Sequence, residues 1–200
     1  KYYEIGNKYS KKTISNYKNS IEILDNLFEK SVKSRLISDH KVGIFLSGGI
    51  DSSLVAYYAK KLSNNITSYT LSVEGKSFDE SKKAKKLAKY LNLNNKDKIF
   101  DLNYFNQNFE NILNKLDEPI GASTFVPMYV VSELASKECK SVICGDGGDE
   151  IFGGYEIFKY VDIIKNLGFL FNKNTYQATK SLMNLLPISK NNLSLDFKIR

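Results

Sequence analysis

Phe45-Leu46-Ser47-Gly48-Gly49-Ile50-Asp51-Ser52-Ser53 is the stretch around which the chain is organised. The apolar run Val42, Gly43, Ile44, Phe45, Leu46 predicts a buried strand and 51–61 predicts the helix after it, so the glycines stand in a strand-to-helix turn. Such a turn can cradle phosphate. Two adjacent glycines let backbone N–H groups approach an anion, Ser47, Ser52 and Ser53 add hydroxyl donors, and the helix start adds unpaired N–H groups and the positive end of its dipole. The loop lacks the Gly-Lys-Ser/Thr ending of a Walker loop and the G-x-G-x-x-G of a dinucleotide fold. Asp51 would repel a phosphate unless a cation lay between them, which points to a magnesium-bridged polyphosphate. Taken alone, the stretch reads equally well as a tight connection between strand and helix.

Val142, Ile143 and Cys144 form another short apolar strand, followed by Gly145-Asp146-Gly147-Gly148-Asp149-Glu150-Ile151-Phe152-Gly153-Gly154-Tyr155. Crowded acids among glycines make a poor structural loop, because like charges repel, and a good magnesium and acid/base site. The two glycine loops, each at a strand end, are expected to form one active site.

These motifs carry a resemblance. Ser47-Gly48-Gly49-Ile50-Asp51-Ser52-Ser53 resembles the pyrophosphate loop of the N-type ATP pyrophosphatases, and the 145–155 stretch resembles the signature of the asparagine synthetase family, glutamine-hydrolysing type. Phe78-Asp79-Glu80, opening a helix, and Asp117-Glu118-Pro119, followed by Ser123 and Pro127, fall between them in the family's order. The resemblance covers about 42–160 and implies a synthetase-domain fragment with an adenine nucleotide alpha-hydrolase-like fold.

Composition agrees with one sizeable core: the 200 residues are 42% hydrophobic. The net charge of +7 comes from 29 basic and 22 acidic residues, and only Arg35 and Arg200 are arginines. Lysine spread along helices argues against a nucleic-acid reader, which leans on clustered arginine and stacking aromatics. Cys139 and Cys144, expected at a helix end and in a buried strand, show no disulfide or zinc pattern, so a reduced cytoplasm fits best. No apolar run approaches membrane-spanning length.

Along the chain, 1–40 reads as a linker and lead-in helix, 41–160 as the nucleotide-binding core and 161–200 as the start of a truncated helical half. Ile14, Tyr17, Ile21, Leu24, Phe28, Val32 and Leu36 predict a long amphipathic helix packed on the sheet. Strands are expected at 67–73, 98–102 and 141–144, and helices at 79–91, 104–116 and 124–138, with Pro127 acceptable only in a first turn. Alternating strands and helices predict an α/β fold, a parallel sheet with helices on both faces and ligands at the carboxyl ends of its strands. The chain starts without methionine and ends at Arg200 without a capping signal, so we expect a piece of a longer protein.

The resemblance implies a ligase that transfers AMP from ATP to the side-chain carboxylate of aspartate, releases pyrophosphate, and lets ammonia attack the acyl-adenylate. The ammonia would come from a glutaminase domain not in this chain, and the fragment alone is expected to be inactive. Carried over by motif, Ser47, Gly48, Gly49, Asp51, Ser52 and Ser53 would hold the pyrophosphate portion, and Leu46 and Val73 would contact adenine. Cys144 and Gly145 would approach the nucleotide through backbone atoms, and Asp51 and Asp149 would bind Mg2+. Asp146 would be the catalyst assisting ammonia attack, and Glu118, Ser123 and Glu150 would meet the substrate. Phe78-Asp79-Glu80 reads equally as substrate contact and as helix cap. Cys144 replaces the family's serine, Ala122 stands where many relatives have aspartate, and Leu91-Asn92-Leu93-Asn94-Asn95 lacks a histidine often found there. His40, the only histidine, lies outside every motif and reads as a surface residue. Two alternatives stay open: a pyrophosphatase that adenylates a sugar-linked carboxylate or a tRNA base, and a non-catalytic nucleotide-binding module. A homodimer is compatible with the apolar surface expected after Tyr155.

Overall fold

Four strands and six helices are built by residues 16–73, 79–118, 120–121, 124–155, 157–158 and 160–161, which the computed structural model describes. In chain order they are α1 (Tyr17–Arg35), β1 (Val42–Phe45), α2 (Ile50–Leu62), β2 (Thr67–Val73), α3 (Ser81–Tyr90), β3 (Asn94–Phe100), α4 (Leu102–Leu113), α5 (Phe125–Ser136), β4 (Ser141–Ile143) and α6 (Gly148–Phe152). The chain divides into two compact units, Lys1–Asp146 with the sheet and Gly147–Arg200 with α6.

All strand pairs are parallel, in the order β3-β2-β1-β4. Gly43 pairs with Thr67 on one side and Val142 on the other, which makes β1 an inner strand. Period-two alternation sorts the side chains between two faces. Val42, Ile44, Leu46 and Ile143 form one core with Ile66 and with Val55, Ala56 and Ala59 of α2, Ala84 and Ala88 of α3, and Val32 of α1. Tyr69, backed by Phe45, Leu71 and Val142, packs with Val131 and Ala135 of α5 and with Cys139. Helices therefore cover both faces, as a parallel sheet requires. Pro127 is the third residue of α5, within the first turn, where a missing N–H costs no helical bond.

Several boundaries differ from the sequence expectation. β3 begins at Asn94 rather than 98 and pairs with β2 at seven successive positions. Its first four residues are polar because β3 lies at the sheet edge, so no apolar pattern marks them. α3 starts at Ser81 and α4 at Leu102, where the Asp101 side chain accepts from Tyr104 N at 2.7 Å. Cys144 stands after β4, half-buried, rather than inside a buried strand. Among the described residues it is the second half of α1 that reaches the hydrophobic core: Phe28, Val32 and Leu36 join it, whereas Tyr17 is 82% exposed. The Phe28–Tyr58 ring stack, the Lys61–Glu29 ion pair and the hydrogen bond from Tyr58 to Asp25 dock this half on α2. Ile14 lies outside the described residues, as does 162–200. Among the described residues no helix is long and apolar enough to cross a membrane.

Candidate nucleotide site

The loop after β1 is knitted by its own serines. Leu46 N donates to Tyr69 O at 2.9 Å, which extends the β1–β2 pairing to the loop's first residue. Ser47 N then donates to Ser52 Oγ at 3.3 Å, and the two hydroxyls lie 3.0 Å apart. Gly49 N donates to Ser47 Oγ at 3.2 Å, while Ser52 and Ser53 hydroxyls both donate to Gly49 O, at 3.2 and 2.6 Å. The hydroxyls expected to meet an anion thus first shape the loop. Ser53 N makes the first helical bond, to Gly49 O, so the N–H groups of Ile50, Asp51 and Ser52 have no intrahelical acceptor. They form the donor set, with the helix dipole behind them. Leu46 is 1% exposed and belongs to the core.

Two glycines bring other motifs against this loop. Gly48 has φ +89°, and a Cβ there would lie 2.9 Å from Glu80 O and Ala84 N, so the loop presses on the start of α3. At Gly145 a Cβ would lie 2.7 Å from Ser52 N and 3.0 Å from Asp51 Cβ. The backbone after β4 therefore runs directly over the first turn of α2. Asp79 Oδ1 accepts from Ser81 N at 3.0 Å and from Val73 N at 3.4 Å, joining the end of β2 to the start of α3. Hydrogen bonding from Ser81 holds the Asp79 carboxyl below its usual range. Phe78 lies outside the described residues.

Asp146 is exposed, and its Oδ2 accepts from Cys144 Sγ at 2.9 Å. Burial, and then the Asp146 carboxylate, push the Cys144 thiol up. The Cys144 side chain thus has a partner of its own, Asp146, beside the backbone contact expected of that position. In the second unit, Asp149 and Glu150 are exposed in the first turn of α6, and Tyr155 OH donates to Glu150 Oε1 at 2.6 Å. That bond holds the Glu150 carboxyl low. Glu118 is exposed beyond α4, and Ser123 lies outside the described residues.

Among the described residues no three His, Cys, Asp or Glu side chains converge to cage a metal. Magnesium needs no such cage, since it is held by one or two carboxylates together with substrate phosphates. Half-buried Asp51, the one acid in the first turn of α2, fits that requirement.

The asparagine synthase family profile matches residues 24–193. The chain belongs to the asparagine synthase family. Asparagine synthetase [glutamine-hydrolyzing] 1 of Bacillus subtilis is 33% identical over 138 residues, 69% of this chain and 22% of that protein. A putative asparagine synthetase of Methanocaldococcus jannaschii is 38% identical over 150 residues, 72% of this chain and 28% of that protein. The chain thus spans about a quarter of the length of these curated relatives. Among solved structures, NMN synthetase from Francisella tularensis is 21% identical with TM-score 0.46, covering 71% of this chain and 59% of that one. In this asparagine synthase family member, loop 46–53, the start of α3 and Gly145 come together within the first unit.

Proposed function

We propose that this chain supplies the nucleotide-binding part of an ATP-dependent amide-forming ligase that adenylates aspartate for attack by ammonia. The observation that carries the reading is the packing of Gly145 on Ser52 N and Asp51, because it joins the family's two glycine motifs at one helix start. Family membership supports ATP use and amide formation.

In this reading the N–H groups of Ile50, Asp51 and Ser52 bind the β,γ-phosphates, and Asp51 would hold the magnesium that neutralises them. Magnesium supplies charge compensation at the leaving pyrophosphate. Gly48, Gly49 and Gly145 let backbone approach the nucleotide. An aspartate carboxylate oxygen attacks the α-phosphorus as the bond to the β-phosphate oxygen breaks, releasing pyrophosphate. Ammonia then attacks the acyl carbon and AMP leaves. In this reading Asp146, exposed and hydrogen-bonded by Cys144, accepts the proton that the attacking nitrogen loses.

The test is product analysis on the intact protein with ATP, magnesium, aspartate and ammonia. Pyrophosphate and AMP in equal amounts with asparagine are expected. Orthophosphate without pyrophosphate overturns the chemistry, and pyrophosphate released without any response to aspartate overturns the acceptor.

A further inference from the structure

Beneath the pyrophosphate loop, a short chain of hydrogen bonds links β3 and β2 to the loop's first residue. Asn95 Nδ2 of β3 donates to Thr70 Oγ1 of β2 at 3.1 Å. The Thr70 hydroxyl donates in turn to the carbonyl of Leu46, at 3.0 Å. Thr70 is 1% exposed, so no water competes for either bond. Because the amide of Asn95 points its N–H at the hydroxyl oxygen, the single hydroxyl proton is directed to Leu46 O. Among the described residues the buried Asn95 Oδ1 atom has no partner, so the amide gains no second anchor there from its own oxygen.

The Leu46 carbonyl and the Ser47 N–H belong to the same peptide plane. Thr70 holds one edge of that plane and Ser52 Oγ accepts from the other at 3.3 Å. Only the Ser47–Gly48 plane separates it from the Gly48 Cα, where the backbone turns to φ +89°. Any rotation of it swings the N–H groups that follow. We infer that Thr70, supported by Asn95, is a positioning residue that sets the direction of the pyrophosphate-binding loop. The role rests on the nucleotide reading above and adds to it Thr70 and Asn95, which lie in β2 and β3 and not in the loop.

The measurement is titration of magnesium pyrophosphate and of ATP into the full chain by calorimetry, with amide exchange followed at Ser47. Thr70→Val keeps the shape and deletes the hydroxyl; a loss of about tenfold in pyrophosphate affinity is expected, as for one buried hydrogen bond removed. Thr70→Ser should restore affinity to within about threefold, since it returns the donor while removing only a methyl group. Exchange at Ser47 N–H should quicken in Thr70→Val while Ile44 stays protected. Asn95→Ala, at a half-buried edge position, should fall between wild type and Thr70→Val, and it decides the matter if Thr70→Val does not fold. Unchanged affinity in either deletion variant that folds, or a Thr70→Ser protein no better than Thr70→Val, overturns this role alone. A wild-type chain that binds neither pyrophosphate nor ATP overturns the nucleotide reading, and this role with it.

Discussion

Gly145 has no room for a side chain, since a Cβ would meet Ser52 N at 2.7 Å and the carbonyl carbon of Asp51 at 2.9 Å. Both are backbone atoms and cannot rotate away. Gly145→Ala should therefore destabilise the chain by about 1–3 kcal/mol, the usual cost of overpacking, and weaken ATP binding further by shifting the α2 start. Urea unfolding and nucleotide titration on the same samples check both effects. At Asp51 the side chain is half-buried and belongs to neither hydrophobic cluster of the described residues, so Asp51→Asn should leave the circular dichroism spectrum unchanged. In the intact protein the magnesium concentration for half-maximal turnover should rise by about tenfold, as one anionic ligand becomes neutral. Unchanged magnesium dependence in Asp51→Asn would remove the metal assignment.

Elements are tied together by pairs that no motif announces. Glu138, just after α5, receives Lys96 of β3, Lys41 ahead of β1, at 3.2 Å, and the Tyr69 hydroxyl of β2, at 3.3 Å. The two lysines, Lys96 first, hold its carboxyl down from 4.5 to about 2. Between those values the unfolded chain binds the proton and the folded chain does not. The stabilisation is complete above about pH 4.5 and is lost as pH falls toward 2. Glu138→Gln should flatten the acid limb of a urea-midpoint profile in that window; a limb as steep as wild type would place the effect elsewhere. On α1, Val32→Ala should cost about 1–3 kcal/mol at a buried site, and Ile21→Ala, 49% exposed, under about 0.5. Thermal melts distinguish the two. Periodicity announced α1 but not where its partner ends, because Ile21 and Phe28 look alike in sequence while only Phe28 reaches Tyr58. The polar start of β3 was illegible for a related reason: its register with β2 is written in backbone bonds, which Asn94, Asn95, Lys96 and Asp97 make as well as valine does. The glycine loops were legible because phosphate chemistry restricts residue type. Thr70 was not, since threonine in a strand is ordinary.

At the scale of the molecule, the chain spans 22% and 28% of the length of the two curated relatives compared. We expect it to bind magnesium ATP weakly and to form no asparagine from aspartate and ammonia. A dry chamber is needed to keep an acyl-adenylate from hydrolysis, and the described residues supply only the anion cradle of the first unit. Calorimetry beside an amide-formation assay on this chain and on the intact protein decides it; asparagine made by the chain alone would refute the expectation. The strand order has a consequence for synthesis. β1 waits for its partner β4, since Val42 pairs with Ser141. Ribosomes add about 5–20 residues per second, so the edge of β1 that β4 will cover stays open for roughly 5–20 s after it emerges. The nucleotide loop is thus born early and incomplete, and Gly145, which follows β4 in the chain, closes on it only once that interval has passed. A nascent chain stalled before residue 141 should be cut by protease around the loop, and one stalled well after 146 should resist.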